Sequence, residues 1–348
     1  MNEVDYIIVG CGLAGIAFCE QLDSNGKTYL VFDDKSQQSS AVAAGLYNPV
    51  VLKRFTEVWK AKQQLALALP YYHKLETKLK VKLNHPLPVF RRFASIEEQN
   101  DWFIASDKPN LAPYLSSILV KNDNSSVVAP LGFGEVLQTG RIDTKLLTKS
   151  YKNKLKLEKR YVYETFEYAY LKIGDTVLEY KDIKANHIVF AEGFGMVHNP
   201  IFNDLPLNVA KGEVITIKAP DLKIDYVLKS SIFVIPEGND LYSVGATYNW
   251  KDKTHQTTEE AKNELVFQLK ELITCNFEIV DQRAGIRPTV KDRRPLVGLH
   301  PIYKNVAILN GLGTRGVMVA PYVAKQLFEH IEFGNPLDKE IDIKRFDK

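Results

Sequence analysis

The sequence predicts an α/β protein in which a parallel sheet with crossing helices is interleaved with a second unit built on an antiparallel sheet. The apolar run Asp5–Val9 leads directly into a glycine-rich turn and then a helix, which is typical of a βαβ unit. Further apolar runs that suit parallel strands occur in the middle of the chain, at His187–Ala191, and near its end, at Val306–Leu309. Between Val209 and Thr247 the sequence alternates apolar and polar residues, as antiparallel strands do.

The glycine-rich turn at residues 10–15 (GCGLAG) has the GxGxxG spacing of a dinucleotide-binding fingerprint. Gly10 allows the tight turn out of the strand, Gly12 lets a pyrophosphate approach the backbone, and Gly15 lets the helix pack closely on the strand. Asp33 ends a second apolar run (TYLVF) at the spacing at which an acid contacts ribose hydroxyls. The alternative is a glycine turn that holds no ligand, but the complete strand–turn–helix–strand–acid context favours a Rossmann-like nucleotide site.

Composition narrows the class of protein. The chain has 348 residues, 45% hydrophobic and 25% charged, which suits a globular protein of about two domains. The net charge of +3 is too small to indicate nucleic-acid binding by itself. The three cysteines are odd in number and form no CxxC pair, so we expect neither disulfides nor a metal site. With no basic leader before the first strand and no apolar run of 18 residues, we expect a cytoplasmic protein without membrane contact.

Periodicity predicts the remaining elements. Helical spacing of apolar residues predicts a long helix over Phe55–Lys80, with a candidate break before Pro70. The other predicted helices are Asp143–Leu157, Glu259–Thr274 and Val317–Glu332. The other predicted strands are Tyr161–Phe166, Val214–Ile217, Ile232–Ile235, Tyr242–Val244 and Glu278–Asp281. Pro321 is expected in the first turn of its helix, because a proline deeper in a helix removes a hydrogen bond.

This order of elements predicts two interleaved domains. Because the parallel elements fall at the start, middle and end of the chain, we predict a nucleotide-binding domain of residues 1–50, 131–205 and 282–348. Residues 51–130 and 206–281 are then a substrate-binding α+β domain built on the antiparallel sheet.

A second glycine cluster, residues 311–316 (GLGTRG), follows a predicted strand and opens the last helix. No further strand with an acid follows it, so we reject a second nucleotide site. The favoured interpretation is a helix N-terminus that faces a flavin ring, where the helix dipole and Arg315 stabilise the negative charge of the reduced flavin. A tight strand–helix turn with an exposed arginine is the alternative.

Several motifs occur in a characteristic order: residues 10–15 with Asp33, 44–46 (AGL), 140–143 (GRID), 188–193 (IVFAEG), 234–236 (VIP), 244–247 (VGAT), 284–288 (AGIRP) and 311–316. In this order and spacing they resemble the FAD-dependent D-amino-acid oxidase superfamily, especially its glycine oxidase and D-amino-acid dehydrogenase branch. The resemblance covers nearly the whole chain and implies non-covalent FAD in the Rossmann-like domain. The cofactor contacts that it implies are Gly10, Gly12, Leu13, Ala14, Gly15, Asp33, Asp34, Gly45, Leu46, Gly193, Gly311, Gly313, Thr314, Gly316 and Val317.

The resemblance also implies an activity: oxidation of the C–N bond of an amino acid or secondary amine by hydride transfer to flavin N5. The implied catalytic residues are Arg287, whose planar guanidinium suits a substrate carboxylate, and Arg315. An internal ion pair is the alternative role for Arg287. Phe233 stands where several relatives carry a substrate-binding tyrosine, and Tyr242 or Tyr248 are candidates to replace it.

Glu192 departs from the small residue that is usual in its turn, and it lies either near the cofactor or in solvent. Lys53 and Arg54 follow the AGL motif and either line the entrance to the active site or are solvated.

The expected partner is a small-molecule amine or amino acid, and tRNA is the alternative. The cluster at residues 311–316 is also similar to the FAD domain that removes a carboxymethyl group from a wobble uridine in tRNA, a group that is a glycine attached through its nitrogen. RNA binding needs a basic face. The basic residues support RNA binding if they meet at the mouth of the active site, and oppose it if they scatter. They form three clusters: Lys145, Lys149, Lys152, Lys154, Lys156, Lys159 and Arg160; Lys53, Arg54, Lys60 and Lys62; and Lys291, Arg293 and Arg294.

A third hypothesis is a non-catalytic flavoprotein that binds FAD as a structural element. The presence of Arg287 in its motif disfavours this hypothesis.

Overall fold

The computed structural model describes residues 2–347, which form two large β-sheets with helices packed on both. The strands are β1 (Asn2–Val9), β2 (Tyr29–Phe32), β3 (Leu46–Tyr47), β4 (Val50–Val51), β5 (Thr56–Glu57), β6 (Asn84–Pro86), β7 (Val89–Arg92), β8 (Leu115–Val120), β9 (Phe133–Val136), β10 (Gly140–Ile142), β11 (Tyr161–Val162), β12 (Leu171–Ile173), β13 (Leu178–Tyr180), β14 (Ile183–Phe190), β15 (Ala210–Lys218), β16 (Val227–Lys229), β17 (Phe233–Gly238), β18 (Leu241–Gly245), β19 (Glu278–Arg287), β20 (Leu296–Leu299) and β21 (Val306–Asn310). The helices are α1 (Leu13–Ser24), α2 (Ser39–Val42), α3 (Ala61–Leu79), α4 (Ile96–Ser106), α5 (Thr144–Leu157), α6 (Glu259–Lys270) and α7 (Gly316–Phe333).

The first sheet has the strand order β11–β2–β1–β14–β21, and all of these neighbours run parallel. Antiparallel β20 pairs with β21, and β13 and β12 extend from the amino-terminal half of β14. The register places Ile8 between Val31 and Val189. As predicted, these strands come from three separated stretches of the chain. The carboxyl ends of β1, β2 and β14 meet at one edge, which is where sheets of this kind bind ligands.

The second sheet has the order β19–β15–β18–β17–β16–β7–β9–β8 and is antiparallel except where β7 and β16 run parallel. Strand β19 is longer than the predicted Glu278–Asp281, and it carries Arg287 to a position opposite Ala210 on β15. β9 belongs to this sheet although its residues fall within the predicted nucleotide-binding segment 131–205. The domain division therefore stays a prediction, and any exact boundary near residue 131 has to leave β9 with the antiparallel sheet.

The predicted helix Phe55–Lys80 is wrong at its start. Helix α3 begins at Ala61, because β4 and β5 form a hairpin through Phe55 and Lys60 adopts a left-handed conformation with φ of 48°. The predicted break before Pro70 is also wrong, since the helix continues to Leu79. One buried face holds both halves of this helix in place: Ala61, Gln64, Leu65, Ala68, Tyr72 and Leu75.

Two other predicted elements are shorter than expected. The strand predicted at Tyr161–Phe166 ends at Val162, and the Phe166 ring then stacks on Tyr180 with the ring centroids 4.1 Å apart. The helix predicted to end at Thr274 ends at Lys270. The backbone leaves the helix there, and Ile273 forms an isolated antiparallel β-bridge with Val127.

Pro321 lies in the second turn of α7, which corrects the prediction that it lies in the first. A proline there leaves the carbonyl of Val317 without its usual helical donor. The buried hydroxyl of Tyr72 on α3 donates to this carbonyl at 2.8 Å. A side chain from a distant helix therefore replaces the backbone bond and keeps α7 continuous.

Helices α1, α3 and α5 are joined by an ionic cluster centred on Glu20, whose exposed fraction is 2%. Lys78 Nζ donates to both carboxylate oxygens at 2.6 and 2.7 Å, and the Tyr151 hydroxyl donates to one of them at 2.9 Å. Nearby Asp23 accepts from Lys78, Lys154 and Arg160. This cluster fixes three helices behind the parallel sheet.

Glu20→Ala should destabilise the fold by about 3 kcal/mol, because it removes the main partner of the half-buried Lys78 ammonium and leaves the buried Tyr151 hydroxyl without its acceptor. Urea denaturation measures this free energy. Glu179→Ala is the matched control, since the Glu179–Lys184 pair is exposed and 3.9 Å apart, and it should change stability by less than about 1 kcal/mol. Equal effects of the two substitutions would contradict a buried, energetically coupled cluster.

No helix within residues 2–347 is both long and apolar enough to cross a membrane.

Candidate active site

A cavity of about 690 Å³ lies between the carboxyl edge of the parallel sheet and one face of the antiparallel sheet. It collects most of the residues that the sequence singled out, although they come from distant parts of the chain. The predicted site residues in its wall are Gly10, Gly12, Leu13, Ala14, Asp33, Asp34, Gly45, Leu46, Gly193, Arg287, Gly313, Thr314, Arg315, Gly316 and Val317.

Gly15 and Gly311 lie behind this wall. A Cβ on Gly15 would overlap the carbonyl of Gly10, so this glycine allows α1 to pack against the end of β1. Gly311 has φ of 70°, and a Cβ there would lie 2.6 Å from Val290. Both positions therefore shape the cavity through packing from outside its wall.

Two helix N-termini open on the cavity. Within the described residues, the N-cap residues of α1 and α7 make no side-chain cap bond and neither first turn carries an acidic residue, although Ser40 Oγ accepts from the Leu13 N–H at 3.1 Å. Free backbone N–H groups and the positive end of the helix dipole therefore face the same space, which suits phosphate at one helix and developing negative charge at the other. Gly12 keeps the entry to α1 open, because a Cβ there would lie 2.9 Å from Ser40 Oγ.

Asp33 directly follows β2 and lines the cavity. Lys152 Nζ and the Tyr161 hydroxyl both lie 2.6 Å from its Oδ2. Because both contacts use Oδ2, the carboxylate is held in one orientation and Oδ1 has no side-chain partner among the described residues. The pairing also shows that one lysine of the first basic cluster is already neutralised inside the protein.

Asp34 fixes the loop that follows β2. Its Oδ1 accepts from the backbone N–H of Ser36 at 2.8 Å, and its Oδ2 accepts from the Thr165 hydroxyl at 3.0 Å. Burial raises the pKa of Asp34, but these hydrogen bonds outweigh it and hold the pKa below its usual value. Of the two adjacent acids, Asp33 is thus the one with an oxygen to offer a ligand.

Glu192 lines the cavity, so the interpretation as a solvated turn residue is wrong. The Tyr168 hydroxyl donates to one carboxylate oxygen at 2.5 Å, and the Asn199 amide donates to the other at 2.7 Å. Burial raises the pKa of Glu192 to about 7 despite these hydrogen bonds, and the charge of Asp34 adds to the increase.

Gln37 supplies an unsatisfied acceptor in the same region. Its Oε1 is buried, lines the cavity and has no hydrogen-bond partner among the described residues. A buried orphan acceptor is costly unless a ligand donates to it. With the open helix N-terminus and the free oxygen of Asp33, it fits the adenosine and pyrophosphate half of FAD.

Arg287 stands at the opposite end of the cavity, at the end of β19. A Cβ on Gly212 would overlap its guanidinium, so only glycine at that position of β15 allows the side chain to lie across the sheet. Nη1 donates to the Thr247 carbonyl at 3.1 Å, and the guanidinium lies over the Tyr248 ring, 4.3 Å from its centroid. No acidic side chain within residues 2–347 pairs with it, which argues against the internal ion pair. Burial lowers the pKa of Arg287, and Tyr248 partly opposes this change.

Arg315 precedes α7 and lines the same end of the cavity. It is largely buried, in contrast to the alternative of an exposed turn arginine. Burial lowers its pKa most; Tyr248 opposes the decrease, and the charges of Arg293 and Arg294 add to it. Two members of the third basic cluster, Arg293 and Arg294, are thus close enough to Arg315 to lower its pKa.

Two further side chains complete this end. Phe233 lines the cavity as expected, and Tyr248 does so too, whereas Tyr242 is buried in the core of the antiparallel sheet.

Sequence reasoning missed Lys229, which lines the cavity and whose Nζ donates to the carbonyl of Ser230 at 2.9 Å. Burial, helped by the charge of Arg91, lowers the pKa of Lys229 to about 8. No sequence motif includes this lysine, which is the last residue of the short apolar strand β16.

Lys53 and Arg54 are exposed on the β4–β5 hairpin and lie outside the cavity wall, which favours the solvated alternative for both.

Within the described part of the chain, no group of three or more His, Cys, Asp or Glu side chains is placed to hold a metal ion.

These features suit a flavin-dependent oxidoreductase, with a glycine-rich, acidic end and a cationic end around Arg287. The chain belongs to the DAO family of FAD-dependent oxidoreductases, whose family model matches residues 5–330. The family resemblance predicted from the sequence is confirmed, as are the fold class and the FAD dependence.

Curated relatives fall into two kinds. An alignment 194 positions long, which covers 46% of this chain and 27% of the relative, gives 28% identity to the tRNA 5-methylaminomethyl-2-thiouridine biosynthesis bifunctional protein MnmC of Pseudoalteromonas atlantica. An alignment 149 positions long, which covers 40% of this chain and 39% of the relative, gives 28% identity to the glycine oxidase of Bacillus subtilis. The matched stretches are therefore well under half of the relatives' own lengths.

Solved structures share the fold over the whole chain. Glycine oxidase from Geobacillus kaustophilus has a TM-score of 0.81 at 19% identity, with 99% of this chain and 98% of that one covered. L-proline dehydrogenase from P. horikoshii has a TM-score of 0.80 at 15% identity, with 99% and 98% covered. At these identities the likeness shows the fold.

Glu192→Gln should flatten the pH dependence of stability. Because burial raises the pKa of Glu192 above that of the unfolded chain, the folded state retains a proton that the unfolded state releases. The wild-type free energy of unfolding should therefore fall between about pH 5 and pH 7, by about 1–3 kcal/mol from this residue. Urea denaturation across this range, on protein freed of flavin, measures the effect.

The matched control is Glu259→Gln, which changes an exposed carboxylate on α6 and should keep the wild-type pH profile. A Glu192→Gln protein whose profile parallels the wild type would contradict the assignment of a buried, proton-retaining carboxyl group.

Proposed function

We propose that this chain oxidises the C–N bond of an amino acid or secondary amine whose carboxylate binds Arg287. The observation that carries the proposal is a largely buried guanidinium with no acidic partner among the described residues. Leaving such a charge unpaired is costly, and a substrate carboxylate would neutralise it through two parallel hydrogen bonds. Thr247 and Tyr248 hold the guanidinium in place before substrate arrives.

At the other end of the cavity, Gly12, Asp33 and the N-terminus of α1 would hold the adenosine diphosphate half of FAD. FAD supplies the hydride acceptor for oxidation of the amine. The N-terminus of α7 and Arg315 would stabilise negative charge at the flavin end. These roles of individual residues are part of the proposal.

The cations around the substrate also favour the neutral amine. Arg315 and Lys229 line the same end of the cavity as Arg287, and positive charges lower the pKa of a nearby ammonium group. The neutral amine is the form whose C–N bond can be oxidised, because its lone pair assists the departure of hydride. No separate catalytic base is therefore required by the proposal.

Arg287→Ala should leave FAD bound and slow anaerobic reduction of the flavin by an amino-acid substrate at least about 100-fold, because a bidentate charged contact is worth roughly 3 kcal/mol. Bleaching near 450 nm, with a panel of glycine, sarcosine, proline and D-amino acids, measures it. The control is Arg283→Ala on the same strand, which contacts Thr216 and should keep wild-type reduction. Unchanged reduction in Arg287→Ala would refute the carboxylate contact.

A second candidate function, removal of a carboxymethyl group from a tRNA wobble uridine, is supported by basic residues near the mouth of the cavity. Arg293 and Arg294 lie close enough to Arg315 to lower its pKa. Neither has an acidic partner among residues 2–347. The Arg294 guanidinium lies 5.2 Å from the centre of the Trp59 ring, and Lys60 Nζ lies 5.6 Å from the same ring. Lys60 of the second cluster therefore lies near the third cluster, but its Nζ pairs with Asp338 at 2.6 Å, so Arg293 and Arg294 are the charges that this candidate function depends on.

The first basic cluster contributes less to this candidate function. Lys152 pairs with Asp33, and Lys154 and Arg160 pair with Asp23. Their charges are used to hold helices and to orient Asp33, so they offer little to a phosphate backbone. The MnmC relatives support the same candidate, within the short stretches that they match.

Changing Arg293 and Arg294 together to Gln should weaken tRNA binding several-fold and lower the salt dependence of log K by about 2, one for each lost phosphate contact. Filter binding across a salt series measures both. The matched control changes Lys145 and Lys149, two exposed lysines on α5, to Gln and should leave the slope unchanged. Equal slopes for the two double variants would count against RNA binding at this mouth.

A further inference from the structure

Two exposed aromatic rings stand at the carboxylate-binding end of the cavity. Tyr248 is 57% exposed and lines the cavity, and Trp250 is 46% exposed. Their ring planes differ by 28°, and their centroids are 6.4 Å apart. Large aromatic surfaces left in water are costly, and paired exposed rings of this kind mark binding sites for other flat groups.

The backbone under these rings is fixed. Thr247 accepts from the backbone N–H of Glu213 through its side-chain oxygen at 3.0 Å, and Asn249 exchanges two backbone hydrogen bonds with Lys211 at 2.8 and 2.9 Å. Lys211 in turn pairs with Asp252 at 2.6 Å. Tyr248 and Trp250 therefore project from a segment tied to β15 on both sides, so a bound ring would not have to order the loop.

The rings are continuous with the substrate site. Tyr248 covers the Arg287 guanidinium on one side and lies next to Trp250. It also lies close enough to Arg315 to oppose the decrease in the pKa of that guanidinium. A carboxylate on Arg287 places the attached amine close to Tyr248, and a small substrate such as glycine ends there. A planar substituent on the substrate nitrogen would extend the pair Tyr248–Trp250 towards solvent, where both rings are exposed.

We propose that Tyr248 and Trp250 stack a planar ring joined through one carbon to the nitrogen of the substrate, so that the favoured substrates are N-(arylmethyl)glycines. This inference rests on the proposed binding of the substrate carboxylate to Arg287. The ring belongs either to a free amine or to a base of an RNA, since every nucleobase presents the same flat face.

Binding of three unreactive ethers tests the proposal: methoxyacetate, benzyloxyacetate and cyclohexylmethoxyacetate, in which oxygen replaces the amine nitrogen. Isothermal titration of the FAD-loaded protein gives their dissociation constants without turnover. We expect benzyloxyacetate to bind about tenfold more tightly than its saturated analogue, the gain typical of one stacked ring. Trp250→Leu should reduce this ratio towards one, and Tyr248→Leu should do the same. The control Phe267→Leu, which removes a 67% exposed ring on α6, should leave the ratio unchanged.

Equal affinities of the flat and saturated ligands, or a ratio that survives both Trp250→Leu and Tyr248→Leu, would overturn the stacking role. The proposed function is tested separately in the same series, because Arg287→Ala should abolish binding of all three ethers. If methoxyacetate binding depends on Arg287 but no flat-ring preference exists, only the stacking role fails. If methoxyacetate binding is insensitive to Arg287→Ala, the proposed function fails.

A competition experiment identifies the source of the ring. Displacement of benzyloxyacetate by an anticodon stem-loop that carries carboxymethylaminomethyl-uridine, and not by the unmodified stem-loop, would assign the stacked ring to RNA. Failure of both stem-loops to compete would assign it to a free amine. The stacking role of Tyr248 and Trp250 is supported in either case, provided that the flat-ring preference is present.

Discussion

A guanidinium held out of water without an acidic partner is the constraint around which this site is built. Arg287 can lie across the antiparallel sheet only because Gly212 offers no side chain, and it is held there by a carbonyl and an aromatic face. None of these contacts neutralises the charge. The arrangement is therefore stable at a modest cost in the free protein and becomes favourable when an anion binds, which is the behaviour expected of a site preorganised for a carboxylate.

The cavity is electrostatically divided along its length. Acidic groups, Asp33 and Glu192, lie near the carboxyl edge of the parallel sheet, while the cations Arg287 and Lys229 come from the antiparallel sheet and Arg315 comes from the loop between β21 and α7. The acids suit the hydroxyl and amino donors of an adenosine, and the cations suit a carboxylate and reduced flavin. The N-termini of α1 and α7 add backbone donors, so the lining of one cavity suits a dinucleotide and a small anion together.

Local patterns in the sequence were sufficient for the nucleotide end and insufficient for much of the rest. The GxGxxG turn and Asp33 belong to one βαβ unit, so spacing alone places them together, and Arg287 was found through a family motif. Lys229 and Gln37 belong to no motif, and only the packing of distant segments brings them to the cavity, while Tyr248 was one of two candidates that the sequence could not separate. Pro321 was misplaced for a similar reason: its helix continues because Tyr72, about 250 residues away in the chain, supplies the missing donor.

The most direct test of the carboxylate site is a crystal structure of the FAD-loaded protein with methoxyacetate, which keeps the carboxylate of an N-methylated glycine and cannot be oxidised at nitrogen. Both carboxylate oxygens should accept hydrogen bonds from the Arg287 guanidinium, with Thr247 and Tyr248 still in contact with it. A carboxylate bound elsewhere in the cavity, with Arg287 left unpaired, would contradict the role assigned to this residue.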